Sequence, residues 1–385
     1  MNIDMDLDRV VAEHRALVCV GTGGVGKTTI AAALALAGAL RGRRTMVLTI
    51  DPARQLARAL GLAALRRGGE PVSTAALAAA GLTPPGQLSA GMLDQKAAWD
   101  AFISRHAPDA EVRDRLLQNP FYQQLSTSFA GSTEYMAVEE LCRLDESGDY
   151  DLIVIDTPPA SHAVDFLRAP ERIERLLDPE VAGWLSRPYR AAGGAPWRAV
   201  SATVRFVVRQ LERAAGTRTL REVSAFFVAL DALFGDVSAR AARARALLAG
   251  ERTAFVLVVG PKERGLADAG ELVSAMESLN ARPRAAVANR VHPLSAAGES
   301  DVPTAEVERL LGDLSTDPAT AAWLRATWTA ARATAQAERD RLRGLRAALP
   351  PGTAWIEVPE LDHDAHSLRD LAQLVELLGL SPSRR

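Results

Sequence analysis

The sequence predicts an α/β protein: a doubly wound, mostly parallel sheet with an inserted all-helical subdomain. Three observations point to it. Short, β-branched, almost continuously apolar runs recur with helical patterns between them; a glycine-rich turn joins the first run to an Ala/Leu-rich helix; and two long stretches are helical in pattern with no good strand candidate. Runs that are apolar nearly throughout belong to strands covered on both faces, and helical crossovers between them make neighbouring strands parallel. The chain has 385 residues, of which 48% are hydrophobic, enough for a sizeable core and for one large domain carrying an insertion.

The strand candidates, in order, are Ala16–Val20, Thr45–Ile50, Leu152–Ile155, Ala254–Val259, Arg284–Ala288 and Ala354–Val358. Gly/Pro/Ala stretches at Gly68–Pro71, Thr83–Gly86 and Arg190–Pro196 read as loops. The segments around 87–147 and 171–250 break the βα rhythm, so the expected organisation is one domain over 1–385 whose helical insert is built from 75–147 and 171–250. Within the insert, Ser201–Ala214 and Arg218–Phe234 carry the strongest apolar faces, with Phe226, Phe227, Leu230, Leu233 and Phe234 on one side of a helix. Such faces either close on each other as a bundle core or form a groove for a hydrophobic helix. The last helical pattern, Ala365–Leu380, is leucine-rich without a basic face and is expected to pack on the sheet.

Composition excludes several classes. With 45 basic against 47 acidic residues, nothing draws the chain as a whole to nucleic acid or to an anionic membrane. Two cysteines, Cys19 and Cys142, cannot make a disulfide framework, and a reducing cytoplasm is the simplest setting. No apolar run approaches the roughly 18 residues of a membrane-spanning helix, and an N-terminus holding Asp4, Asp6 and Asp8 is not a signal peptide.

The chemistry begins at Gly21-Thr-Gly-Gly-Val-Gly-Lys27-Thr28, which fits G-x-x-x-x-G-K-[ST] at every fixed position between a strand and a helix. Gly23, Gly24, Val25, Gly26, Lys27, Thr28 and Thr29 are the expected phosphate binders: glycines let consecutive N–H groups turn inward, and the helix start adds its positive end. Lys27 neutralises the β- and γ-phosphates of a nucleoside triphosphate, and the Thr28 hydroxyl ligates Mg²⁺. This makes the sheet one of P-loop NTPase type. The second strand ends in Thr49-Ile-Asp-Pro-Ala-Arg-Gln55, where Asp51 activates water, holds Mg²⁺, or caps the helix that Pro52 opens. The third ends in Ile153-Val-Ile-Asp156-Thr-Pro-Pro-Ala-Ser-His162, a Walker B type carboxylate for the metal.

These three motifs, in this order, resemble the ArsA-type ATPases, which include arsenite-pump ATPases and the ATPases that guide tail-anchored proteins to membranes, within the wider group of MinD, ParA and the nitrogenase iron protein. The resemblance implies ATP and Mg²⁺ as cofactors, Asp51 in a first switch that activates water, and a second switch over Asp156–His162. It further implies that Asn289, ending Ala285–Asn289, reads the adenine edge, that the loop from Pro359 to Asp364 borders the adenine, and that the protein dimerises with ATP bound.

Departures from the family pattern shape the expectation. The family's loop carries a Lys after its first Gly that reaches the other subunit's nucleotide; here that position is Thr22, which implies slow hydrolysis alone, with a Lys-bearing partner or a nearby cation such as Arg54 as the rescue. The targeting branch's C-x-x-C zinc pair has no counterpart, and two separated cysteines do not suit arsenite. His363-Asp-Ala-His366 reads as a polar loop and helix cap rather than a metal site. The expected protein is therefore a cytoplasmic Mg·ATPase, a homodimer or a heterodimer with a paralogous ATPase, that opens and closes its helical insert around a hydrophobic client. A nucleotide-sensing regulatory subunit, and the energising subunit of an anion or metalloid pump, are the alternatives.

Overall fold

A computed structural model describes residues 6–50, 54–66, 68–128, 132–158, 160–176, 233–293 and 317–380, with isolated positions at 222–229 and 309–310. The chain divides into two compact units. One comprises Met1–Met92, Gly148–Val164 and Glu251–Arg385; the other comprises Leu93–Ser147 and Asp165–Gly250.

The first unit is built on an eight-stranded sheet of order β3-β4-β2-β5-β1-β6-β7-β8. After helix α1 (Leu7–Glu13) come β1 (Ala16–Gly21), α2 (Lys27–Leu40), β2 (Thr45–Thr49), α3 (Arg54–Ala59), β3 (Glu70–Pro71), α4 (Thr74–Ala79) and β4 (Leu88–Met92). The helices of the second unit, described below, separate β4 from β5 (Leu152–Asp156) and β5 from β6 (Thr253–Val259); β7 (Pro283–Val291) and β8 (Ala354–Pro359) follow. Every pairing is parallel except β3 with β4. All six strand candidates form, and β1, β2, β5 and β6 are buried at every residue, as strands covered on both faces must be.

Two segments differ from the sequence expectation. Gly68–Pro71 is not wholly loop, because Glu70 and Pro71 pair antiparallel with β4 at the sheet edge, where a proline's missing N–H is tolerated. The expected helical run from 75 or 87 begins later: α4 and β4 belong with the sheet, and the helical unit starts at Leu93. Leu88-Ser-Ala-Gly-Met92 has no β-branched residue, so its strand character comes from pairing along the whole of β2.

α2 is alanine-rich and buried along nearly its whole length, which lets it lie close on the sheet. Leu368, Leu371, Leu374 and Val375 of the last helix (Leu368–Leu377) share one apolar cluster with α2 and with the sheet residues Val287 and Val358. This helix is shorter than the expected Ala365–Leu380, because Ser367 caps it: the Ser367 hydroxyl accepts from the Asp370 N–H while Asp370 accepts from the Ser367 N–H.

The second unit contains α5 (Gln95–His106), α6 (Ala110–Leu117), α7 (Pro120–Ser128), α8 (Ser132–Ser147) and, after α9 (Ala160–Leu176), α10 (Phe234–Ala249). Asp94 and Asp109 open α5 and α6 by accepting from the N–H groups of Ala97 and Val112. Its core is aromatic: Trp99, Phe102 and Tyr135 meet at centroid separations of 6.0–6.2 Å, and Phe226 sits edge-on to Phe121 at 5.3 Å. Arg240 of α10 donates to Glu139 and Glu146 of α8 at 2.7 and 2.5 Å, with only 6% of its side chain exposed. Phe226 and Leu233, where described, are therefore buried in an internal core; Ser201–Ala214, Phe227 and Leu230 lie outside the described residues.

Candidate functional site

Strand order switches at β1: strands β2 to β5 lie on one side of it, with β5 next to β1, and β6 to β8 follow in order on the other. In open α/β sheets the crevice at the carboxyl ends of such strands is where ligands bind. Register brings three motifs together there, since Asp156 pairs with both Cys19 of β1 and Thr49 of β2.

The loop Gly21–Gly26 leaves β1 with its backbone pressed onto β6; a Cβ on Gly21 would fall 1.9 Å from the Val258 carbonyl oxygen, so only glycine fits. Gly26 is the N-cap of α2, at φ 91°, and no side chain caps the helix. The uncapped first-turn N–H groups and the helix dipole form an anion cradle. Lys27 is buried and its Nζ donates to the Thr22 carbonyl at 2.8 Å, arching over the loop. The Thr28 hydroxyl donates to Asp156 Oδ2 at 2.7 Å, and the Thr49 hydroxyl donates to the same oxygen at 3.0 Å.

Asn289 closes the loop from below. Its Nδ2 donates to the Val25 carbonyl at 2.8 Å and lies 2.5 Å from where a Cβ on Gly26 would be. The side-chain carbonyl is left as the acceptor that a ligand could meet. Gly24, Gly26, Lys27, Thr28, Thr29, Asp156, Asn289 and Pro359 line one cavity of about 420 Å³, within the roughly 300–1,000 Å³ of small-molecule sites. The loop after β8 forms its far wall through Pro359, Glu360, Leu361, His363 and Asp364.

The structure thus brings together every described residue of the sequence prediction except Gly23 and Val25, which belong to the same loop without lining the cavity. Asp51, with Pro52, lies outside the described residues, as do the side chains of Arg54 and His162. Thr22 is 3% exposed, and among the described residues its hydroxyl has no hydrogen-bond partner; it faces Gly265 at the start of the helix Glu263–Ser278. His363 and His366 form a polar turn, both bonded to Asp370 ahead of the helix that Ser367 caps. Sequence reasoning missed two contributors, Thr49 and Arg290. Thr49 stood at the head of the second motif; Arg290 had no signal beyond its place after Asn289.

The sheet order and the loop–helix cradle define a P-loop NTPase fold. Residues 14–191, a little under half of the chain, match the family described as anion-transporting ATPase. Among curated relatives, the ATPase GET3 of Malassezia globosa is 31% identical over 161 residues, 42% of this chain and 44% of its own length. An uncharacterised protein of Streptomyces coelicolor is 34% identical over 164 residues, 42% and 39% of the two chains. A putative arsenical pump-driving ATPase of Halobacterium salinarum is 28% identical over 204 residues, 50% of this chain and 29% of its own. The chain spans about half or less of the length of these relatives. Among the described residues no helix is long and apolar enough to cross a membrane.

Proposed function

We propose that this chain hydrolyses ATP to ADP and phosphate at the β1–α2 loop, with Mg²⁺. The observation that carries this reading is the Thr28–Asp156 hydrogen bond beneath an uncapped helix start: a neutral hydroxyl and a carboxylate, side by side, suit a hard cation at the phosphates. N–H groups of Gly24 to Thr29 bind the phosphates, and Lys27 leaves the Thr22 carbonyl to join them. Thr28 and Asp156 would hold the metal. Bound there, Mg²⁺ would neutralise charge on the β- and γ-oxygens. Asp51 orients the attacking water and accepts its proton, and Asn289 and Pro359 border the base.

The output of the cycle is conformational: dimerisation with ATP bound, and movement of the helical unit around a hydrophobic client. Thr22 favours a second reading, a regulatory half of a heteromeric pair, because a threonine brings no charge to a neighbouring nucleotide. A metalloid-pump role has less support. Cys19 and Cys142 are both buried, and burial pushes both thiols up, Cys142 to about 12, away from the thiolate that a soft ion needs.

Phosphate release from Mg·ATP tests the central reading. Lys27→Ala should lower the rate by about 100-fold or more. Wild-type protein that neither binds ATP nor releases phosphate overturns it. Full activity only on mixing with a Lys-bearing paralogue would select the heteromeric form.

A further inference from the structure

Arg290 and Asn280 are the non-glycine residues with positive φ among the described residues; Arg290 has φ 59°. Arg290 sits where the β7–β8 register slips between Asn289 and Val291, a bulge that re-aims its side chain. An arginine held in the left-handed region costs backbone energy, and such residues gather at ligand sites. The side chain turns back over the phosphate loop. Nη1 donates to the Gly24 carbonyl at 3.3 Å, and Nη2 donates to Asp364 Oδ1 at 2.9 Å.

The guanidinium is thus held from two sides, by the loop on one and by the strand β8 loop on the other. Arg290 and Asp364 line the same cavity as Lys27, together with Pro359 and Leu361. A donor from each terminal nitrogen is turned to a carbonyl and a carboxylate, which is not the fork that grips a phosphate. A planar cation fixed by its edges presents its flat face, and a flat guanidinium face stacks on aromatic rings.

We propose that Arg290 is the base-stacking residue of this site, its guanidinium plane and stem forming one wall of the nucleobase subsite, with Asp364 holding the plane in place. The inference rests on the nucleotide-binding reading above. It assigns Arg290 to the base and not to the phosphates, and this separates it from a residue that only staples the loop through Gly24.

Calorimetric titration with Mg·ATP and, separately, with Mg²⁺ and inorganic tripolyphosphate reads the difference. Arg290→Gly is the cleanest variant, because glycine accepts the positive φ and keeps the bulge. It should weaken ATP about tenfold and tripolyphosphate by less than about twofold. Arg290→Lys keeps the charge but not the plane and should show the same split, to a lesser degree. Asp364→Ala should follow it. Equal loss for both ligands, no loss for either, or full ATP affinity in Arg290→Lys would overturn the assignment. Wild-type protein that binds tripolyphosphate and not ATP would overturn it too, while failure to bind either ligand would remove the nucleotide reading itself.

Discussion

The Thr28 hydroxyl lies 2.7 Å from the Asp156 carboxylate, although 128 residues separate them in the chain. Parallel pairing of β5 with both β1 and β2 fixes this contact, because it delivers Asp156 to the sheet's carboxyl edge beside the first turn of α2. Thr49 adds a second donor to the same oxygen from the neighbouring strand. The carboxylate is thereby oriented before any ligand arrives, as a preorganised site requires.

Asn289 stands to the loop as a brace. Asn289→Ala leaves the Val25 carbonyl without its side-chain donor and should cost about 1–3 kcal/mol of stability, with weaker ATP binding. Asn289→Asp should be worse, since it sets a carboxylate oxygen against the Val25 carbonyl. Thermal or denaturant unfolding of the two variants checks the order.

Thr22 carries a buried hydroxyl with no partner among the described residues. Thr22→Val keeps the shape and removes the unsatisfied group, so it should raise stability by about 1 kcal/mol and leave phosphate release unchanged. Thr22→Lys should lower the melting temperature of the isolated protein, because the new ammonium starts from an enclosed position against Gly265. A more active and equally stable lysine variant would show that the side chain reaches outward from this position.

In the helical unit, Arg240 and Glu139 are both nearly buried. Burial pushes the Glu139 carboxyl up, and the Arg240 guanidinium pulls it back. Arg240→Met therefore leaves the buried acid to the more distant Arg105, 3.7 Å away, and should destabilise by about 3 kcal/mol, whereas the double change Arg240→Met with Glu139→Leu should recover much of the loss. Urea unfolding of the single and double variants measures the difference.

Asp151 joins β5 to β2 through hydrogen bonds to the Arg44 side chain and N–H, which hold its carboxyl down at about 2. A depressed carboxyl contributes stability that is present above its ordinary value and is lost as the pH falls. The window therefore runs from about 4 down to about 2. Asp151→Asn should flatten the acid limb of the stability profile in that window and leave the profile above pH 5, about one unit beyond it, parallel to wild type.

The site was legible where chemistry is written in contiguous residues. Gly21–Thr28 and Ile153–Asp156 carry their meaning in fixed spacings, and the apolar strands announce themselves because both faces are covered. What stayed hidden depends on pairing. β4 is a strand of Leu, Ser, Ala, Gly and Met, whose conformation is imposed by β2, and β3 is two residues long at an edge. Arg290 reaches the loop only because a bulge places a non-glycine residue in the left-handed region, which no local pattern foretells. The apolar faces around Phe226 and Leu233 were ambiguous for the same reason: only their neighbours decide that they are core.

The most direct test of the central claim is ATP affinity with and without Mg²⁺ for wild type and Thr28→Val. If the Thr28–Asp156 pair is the metal position of a nucleotide site, wild-type protein binds ATP more tightly with Mg²⁺, and the valine variant loses that preference while still binding metal-free ATP. Wild-type protein indifferent to ATP, or a valine variant that keeps the full Mg²⁺ preference, would contradict it.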